Sequence, residues 1–386
     1  MKKIFSMLAI TVLGGLALSS CDNDDTTNEI ATHGLAVTSA TTKFDAIGGT
    51  NSITVANTPV SAYANDDWAT VAIDGNSVKV TATQNNDIQS RHASVVIKSS
   101  AVDSAVVNID QDGMVFQLAS TNPVVGDAAG THRIYANHNL PVTVSTKADW
   151  LSATFANDSV AITTTENTTG EPRQAWVYYT SGNITDSVKV LQYSVDKDVL
   201  GDYNMYYYSA HQWHVLSVNI GQQSDNSYAM HFTDAGFSEF GWSIPVTVST
   251  DTPSFTFTNL SNIGSFSYVD NKNYSVLLMI KAADDKYVYT SSKTSVTATA
   301  AWTIDETGAS YWPVTQNGFG SDYEFYEFSL GLSTDGKTYD KDAGTLINFP
   351  GVQFEKVTND NNPAKAARAA KKRAIPSAKV RIPFRL

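Results

Sequence analysis

Four aromatic side chains in the C-terminal half of the chain are the residues best suited to hold a ligand. Trp242 follows a glycine and Tyr311 and Trp312 precede a proline, so turns are expected beside them, while Tyr207 is the middle of three consecutive tyrosines. The flat faces of Trp and Tyr can stack on the apolar C–H faces of sugar rings. The pattern makes these four residues candidates for glycan binding, and burial of the same side chains in a core remains the open alternative.

Metal binding and catalysis find weaker support. His211 and His214 are three positions apart, and that spacing puts two side chains on opposite faces of a strand. Asp335 is followed directly by glycine, which does not fit a calcium-binding EF-hand loop. We therefore predict no metal site and no cofactor.

Motifs of the common enzyme classes are missing from the sequence. It contains no Gly-x-Ser-x-Gly, phosphate-loop or dinucleotide motif. Glycoside hydrolysis needs two carboxylates across a cleft, and Glu324 and Glu327 would face opposite sides of a strand. The sequence predicts a protein that is not an enzyme, with a glycoside hydrolase as a remote alternative.

The N-terminal half contains one stretch twice. Five landmarks recur at an offset of 82 positions, which indicates an internal duplication. The pairs are Trp68 and Trp150, Val78 and Val160, Asn85 and Asn167, Arg91 and Arg173, and Val106 and Val188.

Both repeats consist of short segments in which apolar and polar residues alternate. Residues 77–83 and 91–98 alternate in the first repeat, and residues 159–164 and 175–179 alternate in the second. Asn, Asp and Gly turns separate them, including residues 74–76 and 181–183. We predict two immunoglobulin-like β-sandwiches, at residues 34–113 and 114–195.

Several motifs of the two repeats resemble those of the BACON domain, a family common in surface proteins of gut Bacteroidetes. They are the Asp-Trp pairs at Trp68 and Trp150, the turns at Gly48 and Gly130, the arginines Arg91 and Arg173, and the closing glutamines Gln111 and Gln192. The resemblance implies an immunoglobulin-like fold over about residues 34–195, and either carbohydrate binding or a spacer role. We expect both tryptophans to pack in cores, with sugar stacking as the alternative, and both arginines to bind loop carbonyls.

Residues 198–358 form a second, aromatic-rich region without helical periodicity. Its strand candidates are residues 213–220, 228–232, 254–257, 274–281, 286–289, 295–304, 323–330 and 351–357. An all-β domain is predicted, either an antiparallel sandwich or a lipocalin-like barrel.

The first 33 residues look like an export signal and a tether. Lys2 and Lys3 precede an apolar run in residues 4–18, and Leu18-Ser19-Ser20-Cys21 resembles the bacterial lipobox around the chain's one cysteine. We predict a lipoprotein signal peptide at residues 1–20, lipid attachment at Cys21, and a flexible tether at residues 21–33. The aspartates after Cys21 resemble the signal that exports Bacteroidetes lipoproteins to the outer face of the outer membrane.

The distribution of charge argues against a nucleic-acid partner. The net charge is −12, and eight of the 26 basic residues lie after Pro363 in a tail, residues 359–386, that has no acidic residue beyond that proline. The acidic remainder lacks the basic surface that phosphates require. The tail is either a frayed terminus or a cationic arm that docks on an anionic surface.

These patterns lead to one functional hypothesis and one main rival. The first is a lipid-anchored cell-surface protein that binds a polysaccharide or glycan without catalysis, with the BACON-like domains as spacers. The rival is a structural, protein-interaction or adhesion module.

Overall fold

The computed structural model describes residues 35–267, 272–306 and 308–358. The predicted signal peptide, the lipid-attachment site at Cys21, the tether and the basic tail lie outside these residues. The described chain is almost entirely β-structure, as predicted. Its helical turns are a π-helical turn at Val195–Val199 and a 3₁₀ turn at Ser238–Phe240. No described helix is long and apolar enough to cross a membrane.

The chain divides into two compact units. The first comprises the described residues up to Phe44 together with Gly48–Thr83 and His92–Asp110. The second comprises Asp45–Ile47, Gln84–Arg91 and the described residues from Gln111 onward. Because the second repeat and the C-terminal region share one unit, the domain limits drawn from the sequence stay predictions.

The first repeat is a sandwich of two four-stranded sheets. Its strands are β1 (Val37–Ala40), β2 (Lys43–Phe44), β3 (Gly49–Val55), β4 (Ser61–Ala64), β5 (Ala69–Asp74), β6 (Ser77–Ala82), β7 (Arg91–Lys98) and β8 (Ser104–Gln111). The sheet orders are β1-β3-β6-β5 and β2-β8-β7-β4. Alternate residues of β3, β6 and β7, including Ile53, Val80 and Ile97, are buried between the sheets.

The second repeat builds the same kind of sandwich. Its strands are β9 (Phe116–Leu118), β10 (Val124–Val125), β11 (Gly130–His138), β12 (Val142–Thr146), β13 (Leu151–Ala156), β14 (Ser159–Thr164), β15 (Arg173–Ser181) and β16 (Ile184–Gln192). The orders are β10-β16-β15-β12 and β13-β14-β11-β9, with β10 parallel to β16. Trp150 packs against this core, as Trp68 does in the first repeat, so core packing is confirmed for both.

The duplication extends to the hydrogen bonds of the loops. The buried side-chain amide of Asn85 donates to the Gln89 carbonyl at 2.8 Å, and that of Asn167 donates to the Glu171 carbonyl at 2.9 Å. The predicted loop closure by Arg173 is confirmed, because its Nη2 donates to the Thr165 carbonyl at 2.9 Å. Both asparagines are buried, and each holds the loop that follows it in place.

The offset of 82 does not hold in the last strand of the repeats. Val106 is exposed, whereas Val188 is buried, so pairing them was wrong. The counterpart of Val188 is Val107, which is partly buried and packs against the first core, and Gln111 matches Gln192. Arg91 and Gln111 are 20 positions apart, whereas Arg173 and Gln192 are 19 apart. The connection of the second repeat, at the predicted turn of Gly182 and Asn183, is therefore one residue shorter, and the offset falls from 82 to 81.

The C-terminal region contains fourteen strands. They are β17 (Gly201–Ser209), β18 (Gln212–Gln222), β19 (Tyr228–Phe232), β20 (Ser243–Val248), β21 (Ser254–Thr258), β22 (Ser261–Ser267), β23 (Asn273–Ala283), β24 (Val288–Thr290), β25 (Thr297–Ala301), β26 (Thr303–Ile304), β27 (Ser310–Asn317), β28 (Glu324–Ser333), β29 (Thr345–Pro350) and β30 (Gln353–Lys356).

Eight of these strands close into an antiparallel ring, so the predicted barrel is present. The order is β25-β21-β20-β19-β18-β17-β30-β27, and β27 pairs again with β25. A second sheet, β22-β23-β28-β29 with β24 beside β23, contributes its apolar face to the same core. Large side chains such as Tyr203, Phe255 and Phe354 fill this core. The interior is therefore packed with protein, unlike a barrel that holds a ligand.

Candidate functional site

Two of the four residues proposed for sugar stacking are buried in the C-terminal core. Trp312 is 0% exposed and lies between Tyr203, at 5.6 Å, and Phe255, at 5.4 Å between ring centroids. Trp242 is 4% exposed, stacks on Phe240 at 4.5 Å and donates its Nε1–H to the Ser265 carbonyl at 3.0 Å. Both rings are covered by protein, so their assignment as sugar-stacking surfaces was wrong.

The other two candidates are half-buried. Tyr207 stacks on His214 at 5.1 Å and meets the edge of Phe349 at 5.2 Å, and burial raises the pKa of its hydroxyl. Tyr311 follows Ser310 in β27 and pairs with Thr303 of β26. With Trp242 and Trp312 buried, the four residues do not form a common exposed aromatic surface.

The candidates for metal binding and hydrolysis have structural roles. His214 lies within hydrogen-bond distance of the Ser209 carbonyl, at 3.1 Å. Asp335 accepts hydrogen bonds from the Thr338 hydroxyl and from the backbone amides of Thr338 and Lys337, which lower its pKa. Glu327 is buried in an ion pair with Lys281 at 2.6 Å. Within residues 35–267, 272–306 and 308–358, no group of three or more His, Cys, Asp or Glu is placed to hold a metal ion.

An exposed pair of aromatic rings lies instead on β15 of the second repeat. Along this strand Ala175, Val177 and Tyr179 point into the sandwich and are buried, so the residues between them point outward. Those residues are Trp176, 45% exposed, and Tyr178, 39% exposed. Because they are two positions apart on a strand, their side chains project side by side from the same face.

Polar side chains of the two neighbouring strands flank this pair. Ser145 of β12 and Ser187 of β16 lie opposite Tyr178, and Lys189 of β16 lies opposite Trp176. The Nζ of Lys147 lies 5.7 Å from the centre of the Tyr178 ring. A shallow depression of about 230 Å³ is lined by Lys147, Ala148, Gln174, Ala175, Trp176 and Tyr178. We call the surface formed by Lys147, Gln174, Trp176, Tyr178 and Lys189 the β15 face.

The β15 face rests on a rigid base. Val177, Val188 and Val190 form the buried layer directly beneath it. At the start of β15, Arg173 donates from Nε to Oε1 of Gln192 at 2.9 Å, and Gln192 donates to the carbonyls of Gly126 and Asp127. A surface on a regular strand loses little conformational freedom when it binds a ligand.

The first repeat lacks this aromatic pair at the equivalent positions. Ser94 and Val96 stand where the second repeat has Trp176 and Tyr178. The hydroxyl of Ser94 donates to Asn108, which is the counterpart of Lys189, at 2.8 Å. The duplication thus provides an internal comparison in which one repeat carries the aromatic surface and the other does not.

The sequence contained a signal for the β15 face. Inward and outward positions alternate along residues 175–179, and Trp176 falls at a position that would face solvent. A large aromatic residue at such a position indicates a binding surface. Aligning Trp176 and Tyr178 with Ser94 and Val96 strengthens that signal. The two repeats then have different residues at the outward positions of this strand and similar apolar residues at the inward positions.

Two buried carboxyl groups lie beside the second repeat's last strand. Asp198 accepts from the Ser194 amide at 2.8 Å, and Asp127 accepts from the Ser194 hydroxyl at 2.8 Å. Burial, followed by hydrogen bonding to Asp127, raises the pKa of Asp198 to about 7. Burial also lowers the pKa of the neighbouring Lys356 ammonium to about 8. These groups are enclosed and do not open to a cleft, so we assign them to stability.

A second shallow depression, of about 380 Å³, lies in the C-terminal region. Its lining consists of Gln316, Asn317, Gly318, Gly320, Ser321 and Tyr323. Gln316 donates to the carbonyls of Gly320 and Tyr323, and Tyr323 meets the edge of Tyr289 at 5.0 Å. The side-chain amide of Gln316 thus holds the loop between Gly320 and Tyr323 in shape.

Comparison with known proteins bears on the two repeats. Residues 44–112 and 141–193 match the model of the BACON family, described as "Putative binding domain, N-terminal". The two repeats therefore contain BACON domains, which are binding or structural modules, and the resemblance found in the sequence is confirmed over these residues. No curated protein matches the chain significantly.

Solved structures with some similarity share little sequence with the chain. A tandem from titin is 9% identical, covers 73% of this chain and 92% of its own, and has a TM-score of 0.29. A three-Ig titin structure is 7% identical over 57% of this chain and 90% of its own, with a TM-score of 0.23. An endo-fucoidan hydrolase of glycoside hydrolase family 107 is 8% identical over 40% and 33%, with a TM-score of 0.22. Scores this low support no functional argument.

Proposed function

We propose that the protein is a non-catalytic glycan-binding protein whose second repeat binds the ligand through the β15 face. The observation that carries the proposal is the exposure of Trp176 and Tyr178, side by side on one strand. Large aromatic side chains that remain exposed next to each other on a stable sheet are typical of binding surfaces. This revises the sequence hypothesis, which placed the ligand on the C-terminal domain and gave the repeats a spacer role.

The chemistry of the β15 face suits a sugar chain. Residues two apart on a strand are roughly 6.6 Å apart, so one polysaccharide chain could lie across both rings. The ring faces would stack on apolar C–H groups, and Gln174, Ser145 and Ser187 offer hydrogen-bond partners for hydroxyls. An open face binds the middle of a long chain as readily as its end.

The packed interior of the C-terminal barrel supports a ligand site on the second repeat. Its interior is filled by Trp312, Tyr203 and Phe255, which leaves no volume for a sugar. We assign the barrel a structural role. Weak binding at one face gains strength when many copies are displayed on one surface. The lipobox resemblance at Cys21 is consistent with such display on the outer membrane, at the cell surface.

The rival proposal is a structural, protein-interaction or adhesion module. The same exposed rings would then contact a protein, since Trp and Tyr are also enriched at protein interfaces. The two proposals differ in the ligand, and the site is common to both. A screen against polysaccharides therefore separates them.

The test is affinity gel electrophoresis of the chain from Asp22 onward, which omits the predicted acylation site, in gels that contain individual polysaccharides. We expect one or more glycans to retard the protein, and Trp176→Ala to abolish most of the retardation. The matched control is Tyr63→Ala, because Tyr63 is an aromatic residue of similar exposure, 47%, in the first repeat. Equal retardation of the Trp176→Ala variant would refute the assignment of the site. No retardation by any neutral or charged glycan would favour a protein partner.

A further inference from the structure

The β15 face carries two lysines beside its aromatic pair. Lys147 extends from the end of β12 so that its Nζ lies 5.7 Å from the Tyr178 ring, and Lys189 stands across from Trp176 on β16. Neither lysine forms a salt bridge with an acidic group among the described residues. Each ammonium group therefore retains donors for a ligand.

No outward position of β12, β15 or β16 carries an acidic side chain. The outward positions of β12, β15 and β16, all of them described, are Thr143, Ser145, Gln174, Trp176, Tyr178, Thr180, Thr185, Ser187 and Lys189. The nearest carboxylate along β16 is Asp186, which is on the opposite phase and interacts with the hydroxyl of Tyr179. In a chain with a net charge of −12, a face with two cations and no acid is a local reversal of charge.

The first repeat again serves as a comparison. Asn65 and Asn108 occupy the positions of Lys147 and Lys189, and both asparagines are engaged with Ser94. Both lysines therefore occur together with both aromatics, in the second repeat, and the four are absent together from the first. This joint occurrence suggests that the rings and the cations serve one ligand.

We propose that the β15 face selects anionic polysaccharides, meaning chains whose sugar rings bear carboxylate or sulfate groups. Trp176 and Tyr178 contact the rings, while Lys147 and Lys189 pair with acidic groups on either side. The inference rests on the proposed function, because it specifies the ligand class of the same site. Lysine presents a compact charge on a flexible stem, so it suits acidic groups whose spacing along a chain varies.

The test uses polysaccharides that share a backbone and differ in charge. Dextran is compared with carboxymethyl-dextran and dextran sulfate, and hydroxyethyl-cellulose with carboxymethyl-cellulose, in affinity gels at low ionic strength. We expect the charged member of a pair to retard the protein more strongly, and added salt to weaken that binding. The carboxymethyl and sulfate arms show which acidic group is preferred.

The double variant Lys147→Gln/Lys189→Gln should weaken binding to the charged polymers by roughly three- to tenfold, as expected for two exposed ion pairs. Lys98→Gln/Lys79→Gln is the matched control, since it removes the same charge from the first repeat, where Lys98 lies 5.7 Å from the Tyr63 ring. Equal weakening by both variants would show a non-specific charge effect and overturn the inference.

Other outcomes separate this inference from the proposed function. If neutral glycans bind as tightly as charged ones and Trp176→Ala abolishes that binding, anionic selection is refuted and glycan binding stands. If no polysaccharide of either kind retards the protein, both fail.

Discussion

The guanidinium of Arg173 lies over the ring of Trp150, 4.4 Å from its centroid. The same guanidinium donates to Gln192 and to the carbonyls of Thr165 and Glu166. One side chain thereby joins the Asp-Trp motif, a loop and the closing glutamine of the second repeat. This arrangement explains why the tryptophan, the arginine and the glutamine recur together in both repeats.

Replacing Arg173 should destabilise the second repeat. Arg173→Lys keeps the charge and loses the planar group that donates in several directions, so we expect the free energy of unfolding to fall by about 1–3 kcal/mol. Urea unfolding followed by intrinsic fluorescence measures the change. Lys147→Gln, an exposed cation of the same repeat, should change the free energy of unfolding by less than about 0.5 kcal/mol. Comparable losses in both variants would contradict a structural role for Arg173.

The stability of the second unit should depend on pH through Asp198. The Oδ1 atoms of Asp127 and Asp198 are buried and, within the described residues, have no partner unless a proton is held between the two carboxyl groups. Because the folded-state pKa of Asp198 is raised to about 7, the folded chain binds this proton more tightly than the unfolded chain. The resulting stabilisation is fully present below about pH 4 and is lost as the pH rises through 7.

Asp198→Asn reproduces the protonated carboxyl and should remove this dependence. We expect the variant to be more stable than the parent above pH 7 by about 1–3 kcal/mol, with a smaller difference near pH 5. Lys356 affects the pH dependence of stability with the opposite sign. Burial lowers its pKa to about 8, so the folded chain binds this proton less tightly than the unfolded chain, and stability falls as the pH falls towards 8. Thermal unfolding from pH 4.5 to 7.5 keeps the effect of Asp198 separate. Asp322→Asn, at an exposed site, is the control, and an unchanged pH profile in Asp198→Asn would refute the shared proton.

The burial of Trp312 predicts that its replacement strongly destabilises the C-terminal region. Trp312→Ala should lower the free energy of unfolding by about 3–5 kcal/mol, because it leaves a large cavity between Tyr203 and Phe255. Trp176→Ala should cost less than about 0.5 kcal/mol, since half of that ring is in solvent. Denaturant unfolding of the two variants compares them directly. A reversed order would mean that Trp312 is the exposed ring.

The all-β fold was predictable because alternation is a local property of the chain. Residues 228–232 were predicted as a strand and are β19, and residues 254–257 lie within β21. The depth of a particular aromatic was not predictable, because it depends on distant segments. Pro313 suggested a loop, yet β27 runs through it and pairs with β30, and the phase of that strand turns Trp312 inward. Trp242 is covered by Gly264 of β22, in the second sheet, and the residues next to Trp242 in the sequence do not reveal that contact.

The contact between Gly264 and Trp242 can be tested by a small substitution. A Cβ at Gly264 would lie 2.8 Å from Cδ1 of Trp242, and the residue has a φ of +144°. We expect Gly264→Ala to lower the free energy of unfolding by about 1–3 kcal/mol more than Gly236→Ala does. Gly236 is the matched control, because its φ is also positive, at +93°, and nothing lies within 4 Å of its Cβ position. Equal losses in thermal or urea unfolding would show that backbone conformation alone accounts for the cost.

The internal duplication allows a gain-of-function experiment. The starting protein is Trp176→Ala/Tyr178→Ala, which should no longer bind polysaccharide. Ser94→Trp, Val96→Tyr and Asn108→Lys then transfer three features of the β15 face to β7 and β8 of the first repeat. Asn65 is kept, because its side-chain oxygen accepts from the Ser94 amide at 2.6 Å and holds the strand end.

If aromatic stacking on a flat strand is sufficient for binding, the grafted protein should again be retarded by the glycan that retards the parent. Its affinity should be weaker than that of the parent, since the counterpart of Lys147 is missing. Ser94→Trp alone is the control for a general gain in stickiness, and it should recover less than the triple graft. A folded graft that no glycan retards would show that the exposed rings are insufficient, and that other residues of the second repeat are required.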